Sequence, residues 1–143
     1  MQPDTVFQFA NPTALVGWVA LALSPLAPVW ADRIAATLIP LLLSVAYTAL
    51  ILTFWSTGTG GFDTLPNVMA LFDSPGVALA GWVHYLAFDL FIGAWIVRTA
   101  RAEAIPHWMV LPCLALTFLF GPAGFLAFSA LRAVTRARQS QPV

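Results

Sequence analysis

This sequence predicts an all-α integral membrane protein with four transmembrane helices. Three observations carry that prediction. The 143-residue chain is 60% hydrophobic. Only 8% of it is charged, against about 25% in a soluble domain. Apolar runs close to the roughly 20 residues needed to cross a bilayer recur along it. The length suits one transmembrane domain, residues 1–143.

The first span is expected over Pro12 to Leu26, with Asn11-Pro12 as its cap and first turn and Pro25 and Pro28 ending it. Ala27 to Arg33 reads as a tight turn. The second span covers Ile34 to Trp55, the third Val77 to Thr99 and the fourth Met109 to Leu131. Trp30, Trp55 and Trp108 fall at segment ends, where amphipathic rings favour the headgroup region. Between the second and third spans, "STGTGG" reads as loop. The following "FDTLPNVMALF" places Leu65, Val68, Met69 and Phe72 at helical spacing, which predicts a short interfacial helix with Asp63 near its start. The glycine run has no Lys or strand beside it, so it is no phosphate-binding loop.

Leu15-Val16-Gly17-Trp18-Val19 echoes Leu79-Ala80-Gly81-Trp82-Val83, and Ile39-Pro40 echoes Leu111-Pro112. Two repeated helical hairpins in a four-helix bundle would give that pattern.

Charge excludes one class of partner. The six basic residues are all Arg and balance six acids, so no basic patch exists for nucleic acid. In a four-span chain Arg33, Arg98 and Arg101 face one side and Arg132, Arg136 and Arg138 the other. The positive-inside rule then returns a tie, with a slight lean to both termini in the cytoplasm. One cysteine, Cys113, allows no intrachain disulfide and no Cys-based metal site. No metal and no cofactor is expected. Met1 to Ala10 carries Asp4 and no basic residue, so the first apolar segment is expected to be retained rather than cleaved as a signal. No Arg- and Ser-rich transit peptide is visible. The Arg-only, Ala-rich composition points to a bacterial inner membrane.

Helices in lipid pack through small and polar residues. Thr37, Pro40, Ser44, Tyr47 and Thr48 share a stripe in the second span. Cys113, Thr117, Gly121 and Gly124 share one in the fourth, and Asn11, Trp18 and Pro25 follow a seven-residue spacing in the first. These faces turn inward, either as packing seams or as the wall of a site. "FGPAGF" breaks the fourth span, because Pro122 lacks an N–H and frees a carbonyl one turn earlier.

The oddest stretch is "GWVHYLAFDLF", Gly81 to Phe91, which sets His84 and Asp89 in an apolar run. A carboxylate at mid-membrane costs about 3 kcal/mol on insertion scales. Asp89 must therefore be protonated, hydrogen-bonded or in a wet cavity. Tyr85 lies one turn before it on the same face. His84 is about 140° around the helix from Asp89, so the two do not share a stripe. Both are candidates for proton transfer or ligand contact. Both could equally be structural, bonded to Asn11, Ser44, Tyr47 or a freed carbonyl.

"DSPGVALAGWVHYLAFDLFIGAWI" resembles the central signature of the abscisic-acid-deficient membrane protein family, the plant neoxanthin-synthase-like group and its bacterial relatives. "FANPTALVGWVALALSPLAP" and "LTFLFGPAGFLAF" are similar to that family's first and last spans. The resemblance implies a four-span membrane protein, in a family whose plant members are needed to form neoxanthin from an epoxy-carotenoid. It implies Asn11, His84, Asp89, Gly121 and Pro122 as motif residues, and departs from the family pattern in Ala94.

Opening an epoxide to an allenic alcohol needs an acid at oxygen and a base at carbon, with no redox cofactor. A protonated Asp89 could supply the acid and neutral His84 the base, with Tyr85 or Tyr47 holding the oxygen. Asn11, Trp18, Ser44, Tyr47, Trp82, Gly121 and Pro122 would line the substrate's path. The six Trp, two Tyr and 11 Phe would suit a polyene. The expected partners are thus a carotenoid or other isoprenoid lipid and the membrane lipids. Two other readings stand beside this enzyme: a small proton-coupled transporter, working as a dual-topology homodimer with Asp89 as its proton site, and a non-catalytic pigment-binding or assembly subunit.

Overall fold

The computed structural model describes residues 2–139, which form helices and their connections. Seven α-helices follow one another: α1 Pro3–Ala22, α2 Pro28–Arg33, α3 Ile39–Phe54, α4 Leu65–Phe72, α5 Pro75–Ala102, α6 His107–Phe120 and α7 Pro122–Gln139. Three helices are long and apolar enough to cross a membrane: Pro3–Ala22, Pro28–Thr57 and Pro75–Ala102.

The first span differs from expectation. Helix α1 begins at Pro3, whose fixed φ suits a first turn, and Pro12 lies inside it rather than at its start. Apolar Val6, Phe7, Phe9 and Ala10 carry the helix upstream of Asn11. The expected turn at Ala27 to Arg33 is also replaced. Helix α2 runs into α3 through a π-turn at Ile34–Leu38, where the Ile39 N–H bonds the Ile34 carbonyl. That widened turn sits just before Pro40, whose ring cannot continue an ordinary helix ladder. The expected short helix is present as α4, capped by the Thr64 hydroxyl, which accepts from the Asn67 N–H at 3.3 Å. Its Leu65, Met69 and Phe72 are exposed and Leu71 is buried.

Helix α5 is the axis of the molecule. Val83, Leu90 and Ile96 are fully buried, and α1, α3 and α6 pack around it. Helix α1 runs parallel to α5, with Phe7 on Trp82 and Trp18 on Gly93. Helix α3 runs antiparallel, with Phe54 against Gly76 and Tyr47 against His84, and Asp32 of the preceding α2 is bonded to Arg98.

The expected fourth span, Met109–Leu131, is instead two helices folded back on each other. Helix α6 starts beside the end of α1, where the His107 ring lies 2.9 Å from the Ala22 carbonyl. It descends along α5 until Tyr85 reaches the Phe118 carbonyl. At Gly121, with φ of 36°, the chain turns back. Helix α7 returns with Phe125 and Phe128 on Trp95, and Arg132 and Arg136 on Glu103. Gly124 lies directly on Thr117, seven residues away in sequence, a contact no straight helix allows. The reversal also departs from the repeated-hairpin expectation, since α3 is part of a full span and α6 turns back.

This changes the charge distribution. All six Arg now lie at one face, with Asp32 and Glu103 among them. Asp4, Asp63 and Asp73 lie at the other, which holds no Arg. These are the arginine face and the acidic face below. The tie expected from a four-span chain disappears.

Candidate functional site

Asp89 lies 14 residues along the 28-residue α5, so about 21 Å of helix separates it from the Pro75 end. It meets the apex of the α6–α7 hairpin. A Cβ on Gly121 would fall 2.5 Å from Asp89 Oδ1 and 2.8 Å from Oδ2, so only glycine lets the apex approach so closely. Asp89, Ile92, Gly121, Pro122 and Phe125 line a cavity of about 240 Å³. Oδ2 of Asp89 is buried and has no hydrogen-bond partner among the described residues. Four of the five lining residues are apolar or glycine, so this oxygen is a polar group with nothing to bind in a largely apolar recess.

The apex explains Tyr85. Pro122 has no N–H, which leaves the Phe118 carbonyl without its helical donor. The Tyr85 hydroxyl donates to that carbonyl at 2.9 Å. Lipid could not have satisfied it. Tyr85 thus fastens the apex to α5 one turn from Asp89.

A second recess, of about 430 Å³, lies between α1, α5 and the tip of α6. Asn11, Leu15, Trp82, Tyr85, Phe118 and Leu119 are among its walls. Trp82 Nε1 donates to Asn11 Oδ1 at 2.8 Å, and Asn11 Nδ2 donates to the Phe7 carbonyl at 3.1 Å. Trp82 and Tyr85 rings lie 5.3 Å apart. Trp18 is buried deeper, edge-on to Phe118 at 5.5 Å.

The structure therefore gathers Asn11, Trp18, Trp82, Tyr85, Asp89, Gly121 and Pro122 around the hairpin apex. It separates His84, Tyr47 and Ser44 from them. His84 stacks on Phe88 at 4.6 Å and faces Tyr47 at 5.6 Å, on the α3 side of α5. Ser44 lines another recess, of about 360 Å³, with Thr37, Pro40 and Phe88. Its hydroxyl bonds the Pro40 carbonyl at 2.7 Å. Sequence reasoning missed Phe118 and Ile92. The signal for Phe118 was present, since it stands four residues before Pro122.

No curated protein and no solved structure matches the chain. A family model, that of the ABA DEFICIENT 4-like proteins, matches residues 5–128, from the start of α1 into α7 and across the whole apex site. With most of its length so matched, the chain belongs to the ABA DEFICIENT 4-like family.

Proposed function

We propose that the chain is a membrane enzyme, or enzyme-like factor, acting on a carotenoid or related isoprenoid, with Asp89 as its acid–base group. Family membership supports the broader role, one related to carotenoid and abscisic-acid biosynthesis. The observation that carries the finer reading is the unpartnered Asp89 Oδ2 in the apolar cavity under Gly121. A carboxyl oxygen held there without a partner is available to a ligand.

The chemistry needs one such group. As a carboxylic acid, Asp89 gives its proton to the epoxide oxygen as the C–O bond breaks. The resulting carboxylate removes a proton from an adjacent chain carbon, whose electron pair forms the new double bond. One proton is given and one taken, so the step is an isomerisation and needs no oxidant. Because His84 stands on another face of α5, the arrangement favours both roles for Asp89 over a His84–Asp89 pair. The Asn11–Trp82–Tyr85 recess would receive the polyene, whose flat chain suits its aromatic walls. A bacterial inner membrane is the proposed setting.

The transporter reading loses an argument, since the arginines no longer divide between the faces. A dual-topology homodimer needs that balance. The pigment-holding reading is separated from the enzyme by experiment. The protein would be purified from a carotenoid-producing host, and its bound lipid extracted for mass spectrometry and absorption spectra. Wild type should hold or release an isomer of the host polyene, and Asp89→Asn the unaltered one. An unaltered polyene in both would establish a non-catalytic holder. A colourless preparation containing only phospholipid would sink both.

A further inference from the structure

A separate cavity opens at the arginine face, well away from the hairpin apex. It holds about 160 Å³ and is lined by Ser24, Pro25, Val97, Arg101, Ile105 and His107, among others. Ser24 is 1% exposed, and its hydroxyl has no hydrogen-bond partner among the described residues. A buried hydroxyl so placed carries its full desolvation penalty unless something enters to bind it.

Arg101 is available. Both oxygens of Asp32 are taken by Arg98, and Glu103 is taken by Arg132 and Arg136. Among the described residues no carboxylate pairs with Arg101. Helix α6 begins at His107 in the cavity wall, which brings the positive end of its dipole there. Several of the carbonyls ending α1 and α5, which would repel an anion, are already engaged. The Ala22 carbonyl faces His107 Nε2 at 2.9 Å. The Ala100 carbonyl accepts from the Ile105 N–H at 2.8 Å and that of Thr99 from the Glu103 N–H at 3.0 Å. Trp30 and Trp108 are exposed at the same end of the molecule, which sets the cavity at headgroup depth.

We propose that this cavity seats a phosphate group, held by the Arg101 guanidinium and the Ser24 hydroxyl. The group is carried by an anionic phospholipid or is free phosphate. The two sources are separable. The full chain would be placed in nanodiscs containing phosphatidylglycerol and phosphatidylcholine, then released into detergent and weighed by native mass spectrometry. In parallel, its melting temperature in detergent would be read with and without inorganic phosphate.

Retention of phosphatidylglycerol over phosphatidylcholine, reduced about tenfold by Arg101→Gln and several-fold by Ser24→Ala, is the expected result. Arg138→Gln, on the same face but outside the cavity, should leave retention unchanged. Without lipid, Ser24→Ala should melt no lower than wild type, because it removes an unsatisfied hydroxyl. A phosphate-dependent melting shift lost in Arg101→Gln, without lipid retention, would assign the seat to free phosphate. Neither retention nor shift would overturn the proposal. So would an equal loss in Arg138→Gln and Arg101→Gln, which would mean surface charge alone.

Discussion

Gly121 and Tyr85 are the residues on which the apex rests. With φ of 36° and ψ of −89°, Gly121 stands where an L side chain is strained by roughly 1–3 kcal/mol, before any collision with Asp89 is counted. Gly121→Ala should therefore lower the melting temperature in detergent and abolish conversion of the bound polyene; full activity would mean that the apex does not need this approach. Tyr85→Phe removes only a hydroxyl, yet it strands the Phe118 carbonyl in an apolar setting. The expected loss is about 1–3 kcal/mol, readable by denaturation in mixed micelles. An unchanged melting curve would show that the carbonyl has another donor. Some of this was legible in the residues themselves. Pro122 announces a freed carbonyl, and the 140° between His84 and Asp89 follows from helical spacing. Nothing in the sequence says which donor reaches Phe118, because that depends on a contact 33 residues away.

The α6–α7 hairpin is the element least visible in advance. The apolar character of "LTFLF" continues through "AGFLAF", and hydropathy reports no direction, so a straight span was the natural reading. What ties the hairpin down is Glu103. Its carboxylate accepts from Arg132 Nε at 2.7 Å and from Arg136 at 2.6 and 3.1 Å. The Arg132 hydrogen bond, then Arg136, holds it far below the usual range, at about 2. With a lowered folded value, its contribution is fully present above the unfolded value near 4.5 and is lost as pH falls toward 2. Glu103→Gln should thus melt lower than wild type at neutral pH, and the gap should close across that window. A gap independent of pH would mean that Glu103 acts through packing alone. Helices α1, α3 and α5 were legible because long apolar runs leave little choice. Their ends were not: Pro3 and Pro28 start helices that the notion of proline as a breaker had shortened.

At the scale of the whole molecule, three candidate spans and a returning hairpin put the start of α1 at the acidic face and α7's end at the arginine face. On the positive-inside rule, the arginine face is expected in the cytoplasm. A reporter fused after Val143 should be active only if it functions in the cytoplasm. After Cys113→Ala, cysteines placed as Asp63→Cys and Arg138→Cys should react from opposite sides of the membrane. Labelling of both from one side would restore the straight fourth span. The sequence could count arginines but not place them, since one reversal at Gly121 moves three of them across the bilayer.

That reversal also has a consequence for supply. If the arginine face is cytoplasmic, a hairpin that enters and leaves by that face would occupy the inner leaflet. Beneath its tip, where Leu119 and Phe120 are exposed, the Asn11–Trp82 recess would then face the acyl chains of the outer leaflet. A lipid dissolved there would reach that recess by sliding sideways. One confined to the inner leaflet must first flip or pass around α6 and α7. On the proposed function the molecule would be asymmetric as a receiver, and the leaflet in which a substrate is delivered would become a determinant of rate.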